Sequence, residues 1–85
     1  MKEFSYVITD PQGIHARPAG ALVKEAGQFE SNIMISKDGK EVDAKRIFGI
    51  MGLAAKQGQT IVIRINGSDE NEAMQKLSAF MKKNM

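Results

Sequence analysis

The chain has 85 residues, 42% of them apolar, and 12 basic against 10 acidic side chains give a formal net charge of +2 at pH 7. This size leaves room for one core and no genuine linker, so a single domain over residues 1–85 is expected, and a chain this short buries only about 60% of its unfolded surface. Without cysteine there is no disulfide, no Cys-based zinc site and no thiol nucleophile; with one histidine there is no two-His metal site, and neither metal nor cofactor is expected. The weak charge, absent Trp and lone Tyr argue against nucleic acid as a partner. No apolar run approaches the ~18 residues of a membrane span. The segment Met1-Lys2-Glu3-Phe4-Ser5-Tyr6 lacks the apolar stretch of a signal peptide, so a cytoplasmic protein is expected.

In chain order, the first strand is predicted over Glu3 to Thr9, with Phe4, Tyr6 and Ile8 inward. Asp10-Pro11-Gln12-Gly13 is turn chemistry, because Pro presets φ and Gly tolerates a positive φ. A helix follows over Ala16 to Ala26. Ala19, Leu22, Val23 and Ala26 recur on one face, Pro18 sits in the first turn, and Gly27 is placed as the stop at C′. Ser31 to Ser36 reads as a strand, and Asp38-Gly39 as a tight hairpin turn into a short strand over Lys40 to Ala44. A short helix is expected over Ile47 to Leu53, weakened by Gly49 and Gly52. Thr60 to Asn66 alternates as a strand around Ile61, Ile63 and Ile65. Asp69 with Glu72 resembles a capping box, and the last helix runs to about Lys83 with Ala73, Met74, Leu77, Phe80 and Met81 inward.

The order is βαββαβα. A hairpin inside that order indicates a mostly antiparallel four-stranded sheet with three helices on one face, an α+β open-faced sandwich.

The segment that carries chemistry is Gly13-Ile14-His15-Ala16-Arg17-Pro18-Ala19. It places His15 at or just before the N-cap of the first helix. There the unpaired N–H groups of Ala16 and Arg17 and the helix dipole favour an anion, phosphate above all. Arg17 adds a permanent guanidinium for phosphate oxygens. The same field favours the neutral ring, with a lone pair for attack on phosphorus. The plainer reading stands beside this one. A lone His after Gly in a turn is commonly a surface residue, and Arg after it a solvated charge.

The same segment resembles the active-site signature of the HPr family, the histidine-containing phosphocarriers of the bacterial phosphoenolpyruvate-dependent sugar phosphotransferase system. The resemblance extends through the Asp-Gly hairpin, Lys45 to Leu53, and Gly67-Ser68-Asp69-Glu70. It implies a phosphoprotein of sugar transport, not a free-standing enzyme. His15 would take a phosphoryl group on Nδ1 from phosphorylated enzyme I, beside Arg17, and pass it to enzyme IIA domains of sugar permeases. Contact with the membrane would be peripheral, through those permeases, and the carrier a monomer. The resemblance also implies that exposed apolar residues around the first two helices dock both partners. Ile47, Phe48 and Met51 are the candidates, beside the plainer reading of a well-buried short helix, and Met suits a surface that accepts several partners. Lys24, Lys45 and Arg46 could ring this patch; ordinary solvated charge is the plainer reading of all three, and for Lys24 the preferred one.

One position departs from the family. Where low-GC Gram-positive members carry a regulatory serine after Lys45, this chain has Arg46. That puts in doubt modification by HPr kinase/phosphorylase and the phosphoserine-dependent partnership with the catabolite control protein. A purely regulatory branch lacking the histidine is not expected, since His15 is present. A nitrogen-branch paralogue stays open. So do two rivals of other classes: an ACT-like ligand-binding regulatory domain, and a small phosphatase using Arg17 as an anion clamp. The latter has no water-activating partner in sight beyond Asp10 or Gln12.

Overall fold

Ile61, Ile63 and Ile65 alternate along one strand and are all fully buried. Burying each such side chain stabilises the fold by about 1.5–3 kcal/mol, so one face of this strand is turned into the core. In the computed structural model, which describes residues 1–85, it is β4 (Thr60–Asn66). The other elements are β1 (Lys2–Val7), α1 (Ala16–Ala26), β2 (Asn32–Lys37), β3 (Lys40–Asp43), α2 (Ile47–Gly52) and α3 (Glu70–Asn84). One four-stranded sheet forms in the order β1-β4-β2-β3, with every pair antiparallel.

The register puts Phe4, Ile63, Ile35 and Val42 in one row across the sheet. That row belongs to the face the helices cover. α3 packs on β1 and β4, α1 lies beside α3, and α2 bridges α1 and β3. The buried core takes Ala19, Leu22 and Ala26 from α1, and Ala73, Leu77 and Met81 from α3. On the uncovered face, Arg64 pairs with Glu3 at 2.8 Å and with Glu41 at 3.4 Å. This is the open-faced sandwich expected from the sequence. The β2–β3 hairpin turns on Asp38 and Gly39, both at positive φ, as the Asp-Gly pair required.

The bounds of β2, β3 and α2 each shift by one residue from expectation, and three local features change more. β1 stops at Val7, because the N–H groups of Thr9 and Asp10 leave the sheet and donate to Met85 O at 2.7 and 3.0 Å. Gly27 is the C-cap at φ −66°, not a left-handed stop. The helix instead tightens through the bonds Gln28 N–H to Glu25 O and Phe29 N–H to Ala26 O, which deliver buried Phe29 to the core. Asp69 is the N-cap of α3 but makes no capping bond with its side chain. Its carboxylate reaches across to the α1–β2 loop and accepts Glu30 N–H at 2.9 Å, Ser31 N–H at 3.0 Å and the Ser31 hydroxyl. Glu72 pairs with Lys76 at 3.5 Å, so no reciprocal capping box forms.

These bonds make stability acid-sensitive. The Ser31 hydroxyl, followed by Glu30 N–H, holds the Asp69 carboxyl below its usual range, and Gly67 N–H does the same for Glu70. A carboxyl acidified by folding stabilises the native state fully above its unfolded value, about pH 4, and loses that contribution as pH falls through the folded value. Thermal midpoints should therefore be flat from neutral pH to about pH 5 and fall below about pH 4. Asp69→Asn, which cannot ionise, should lower the midpoint at neutral pH and flatten the acid limb. An Asn variant with the parent's midpoint and acid limb would remove Asp69 from this account.

Candidate functional site

The site is the junction between β1 and α1. Asp10 begins its turn by accepting Gln12 N–H on Oδ1 at 2.8 Å and Gly13 N–H on its carbonyl at 2.8 Å. Gly13 follows at φ +67°, and Ile14 N–H donates to Ala55 O at 2.9 Å. The loop is thus docked onto the segment that leads from α2 into β4.

His15 comes next and is the N-cap of α1, with extended backbone at φ −122° and ψ −177°. Its carbonyl accepts the first intrahelical bond, from Ala19 N–H at 3.0 Å. Pro18 has no N–H to offer, and the N–H groups of Ala16 and Arg17 find no acceptor within the protein. The helix end therefore presents two free donors beside the imidazole, as the sequence required. The ring itself is 34% exposed and makes no capping bond. Arg17 is exposed and forms no ion pair, so its guanidinium is available to an incoming anion.

One neighbour of the ring enters the sequence reading only as a possible water-activating partner of the phosphatase alternative. Asp10 Oδ2 lies 3.5 Å from His15 Nε2. Gln12 N–H, more than the imidazole, holds the Asp10 carboxyl below its usual range. The signal was the Asp-Pro-x-Gly turn: an Asp that opens such a turn spends one oxygen on the backbone and keeps the other free.

The apolar candidates sit on the neighbouring helix and are not equivalent. Phe48 is 88% exposed and Met51 is 39% exposed. Ile47 is half-buried, with Cδ1 3.7 Å from the position a Cβ would take at Gly20 of α1. The cations also separate. Lys45 does not ring the patch as expected, because its Nζ donates to Phe29 O at 2.8 Å. Its aliphatic reach ends at the exit of α1, where a cation meets a free carbonyl. Lys40 Nζ likewise donates to Gly52 O at 3.2 Å, at the end of α2. Arg46 is the N-cap of α2; its side chain is 82% exposed and lies 3.9 Å from Asp43. Lys24 is exposed in the last turn of α1.

The small open-faced sandwich thus presents a partly exposed imidazole beside free backbone donors at one helix end. Residues 2–83 match the family described as "PTS HPr component phosphorylation site". The chain is 52% identical over 71 residues to the HPr-like protein Crh of Halalkalibacterium halodurans, covering 84% of each. It is 47% identical over 78 residues to the phosphocarrier protein HPr of Xylella fastidiosa strain 9a5c, covering 92% of this chain and 88% of that one. Among solved structures, HPr-C-His from Thermoanaerobacter tengcongensis superposes with a TM-score of 0.94 at 40% identity, over 99% of this chain and 94% of that one; HPr from that organism has also been solved as a dimer. The chain belongs to the HPr family of the phosphotransferase system, a family of phosphocarriers and not of catalysts. The ligand-binding and phosphatase alternatives fall away with that finding. No helix is long and apolar enough to cross a membrane.

Proposed function

We propose that this protein is a cytoplasmic phosphocarrier, acting as one 85-residue unit, that accepts a phosphoryl group on His15 Nδ1 from phosphorylated enzyme I and passes it to enzyme IIA domains. The observation that carries this reading is the pairing of a single, partly exposed imidazole with two unpartnered N–H groups at the start of α1. Nδ1 makes no hydrogen bond, which leaves that nitrogen open to attack phosphorus. The free donors and Arg17 suit an adduct bearing up to about two negative charges, and they hold it without burying it. Incubation with phosphoenolpyruvate and enzyme I, followed by intact mass and acid-lability analysis, tests this directly. One acid-labile, base-stable phosphoryl group is expected; no uptake, or an acid-stable adduct, would overturn it.

Arg17 is proposed as the charge that meets the phosphoryl group in transit. Losing such a contact costs about 2–4 kcal/mol in a transition state. Arg17→Ala should therefore slow transfer in both directions in rapid-quench experiments, with the modification site retained. Transfer at the parent's rate would make Arg17 a bystander.

Phe48 and Met51 are proposed as the exposed part of the docking surface, with Ile47 supporting them from its seat on α1. A monomer leaves this surface free for both partners, and sedimentation velocity at micromolar concentration tests that state.

Arg46 is proposed to remove kinase control. A phosphoryl-transferring kinase needs a hydroxyl as nucleophile, and a guanidinium cannot serve. HPr kinase with ATP should leave the parent unmodified, whereas Arg46→Ser should gain an ATP-dependent phosphoryl group. Modification of the parent on any serine would refute this. The nitrogen branch is the second reading of the pathway, and transfer assays against IIA domains of each branch separate the two.

A further inference from the structure

We propose that Asp10 is the positioning residue of the reacting histidine. Its free carboxylate oxygen takes the Nε2–H of His15, which keeps the ring proton on Nε2 and the lone pair on Nδ1. The proposal rests on the phosphocarrier reading of His15, and it assigns a function to a residue outside the Gly13–Ala19 segment.

Asp10 is held by its own turn. Oδ1 is occupied by Gln12 N–H at 2.8 Å, the carbonyl by Gly13 N–H at 2.8 Å, and the backbone N–H by Met85 O at 3.0 Å. With three bonds fixing the residue, Oδ2 is left as the oxygen 3.5 Å from Nε2. An ionised carboxylate only accepts hydrogen bonds, so it selects the tautomer that carries its proton on the facing nitrogen. The Gln12 bond helps to keep the carboxyl ionised. No other side chain makes a polar contact with the ring, and the extended N-cap backbone leaves it without a capping bond. A separation of 3.5 Å is loose for a hydrogen bond, and contacts of this kind tighten as charge develops in the reacting complex.

The step balances without moving a proton. The Nδ1 lone pair forms the P–N bond, while the bond from phosphorus to the donor's leaving atom breaks and its electron pair stays with that atom. The His15 ring keeps Nε2–H and becomes cationic, next to the Asp10 negative charge. On onward transfer the P–N bond breaks, the pair returns to Nδ1, and the ring is again neutral with its proton on Nε2. Asp10 thus sets which nitrogen attacks and stabilises the charge that forms while the phosphoryl group is carried.

A turn residue with no further role would look the same in a melting curve, so the test needs Asp10→Asn. The asparagine Oδ1 can still accept Gln12 N–H, and its Nδ2 then faces His15 Nε2 as a donor. That geometry draws the lone pair to Nε2 and the proton to Nδ1, the wrong tautomer for attack. The expected results for Asp10→Asn are a melting midpoint near the parent's, a larger share of Nδ1–H in nitrogen-15 spectra of the neutral ring, and slower phosphoryl uptake from enzyme I. For a metal-bound histidine, losing an orienting partner costs about 10- to 100-fold; a loss of that order is expected here in the kcat of enzyme I acting on this carrier, with the KM for the carrier unchanged. Asp10→Ala should be slowed less, because it removes the partner without installing a donor. Ring spectra identical in the parent and both variants, or a tautomer shift with an unchanged rate, would overturn the proposal. A parent that takes up no phosphoryl group would instead overturn the carrier reading and the transfer step together, while the spectra report on the Asp10–His15 contact separately.

Discussion

His15→Ala is expected to abolish acid-labile phosphoryl uptake while leaving the fold in place. His15 is the only imidazole in the chain, so no second ring can take over. Its structural contribution is small. The ring makes no capping hydrogen bond to α1, and its 3.5 Å contact to Asp10 is loose. The first intrahelical bond uses the His15 carbonyl, which alanine supplies equally well. Surface substitutions of this kind change stability by about 0.5 kcal/mol or less. The variant should therefore melt close to the parent, and intact mass after incubation with phosphoenolpyruvate and enzyme I should show no added group. A folded His15→Ala protein that still accepts an acid-labile phosphoryl group would sink the assignment of the acceptor.

The sequence told most where a signal was local. The i, i+3, i+4, i+7 spacing of Ala19, Leu22, Val23 and Ala26 located α1 at its observed limits, and strict alternation did the same for β4. The Asp38-Gly39 pair located the hairpin because a two-residue turn at positive φ accepts few other residues. What stayed hidden depends on residues that meet only after folding. Asp69 has the composition of a helix cap, but Ser31 and Glu30 lie 38 and 39 positions away in sequence, and their N–H groups win the carboxylate. Lys45 looked like a rim charge because nothing in the sequence says that the Phe29 carbonyl ends beside it. At the site, the helix start and its free donors were legible from Gly13 through Pro18. The aim of the second Asp10 oxygen was not, since it follows from how the turn closes and where α1 begins.

The largest stability effect among the site-forming residues is expected for Gly13→Ala. Gly13 sits at φ +67°, a region L-residues enter at a cost of about 1–3 kcal/mol. An added Cβ would also overlap the Ala55 carbonyl and approach Lys56 Cα at 2.8 Å. Both are backbone, so no side-chain rotation can relieve them. Overpacking of this kind costs about 1–3 kcal/mol more. Together these are a large share of the ~5–15 kcal/mol by which a native domain is commonly stable. The loop can avoid the overlap only by lifting away from Ala55, which breaks the Ile14 N–H to Ala55 O bond and shifts His15 relative to Asp10 and the start of α1. The expected outcome is a large drop in the urea midpoint together with slow phosphoryl uptake by whatever fraction stays folded. Gly39→Ala is the matched control: that glycine is also at positive φ, but a Cβ there meets nothing within 4 Å and the hairpin lies away from the site. It should show the strain cost alone, with uptake unchanged. Equal losses of stability in the two variants would mean that the Ala55 contact adds nothing, and parent-like uptake by Gly13→Ala would mean that loop docking does not position the histidine.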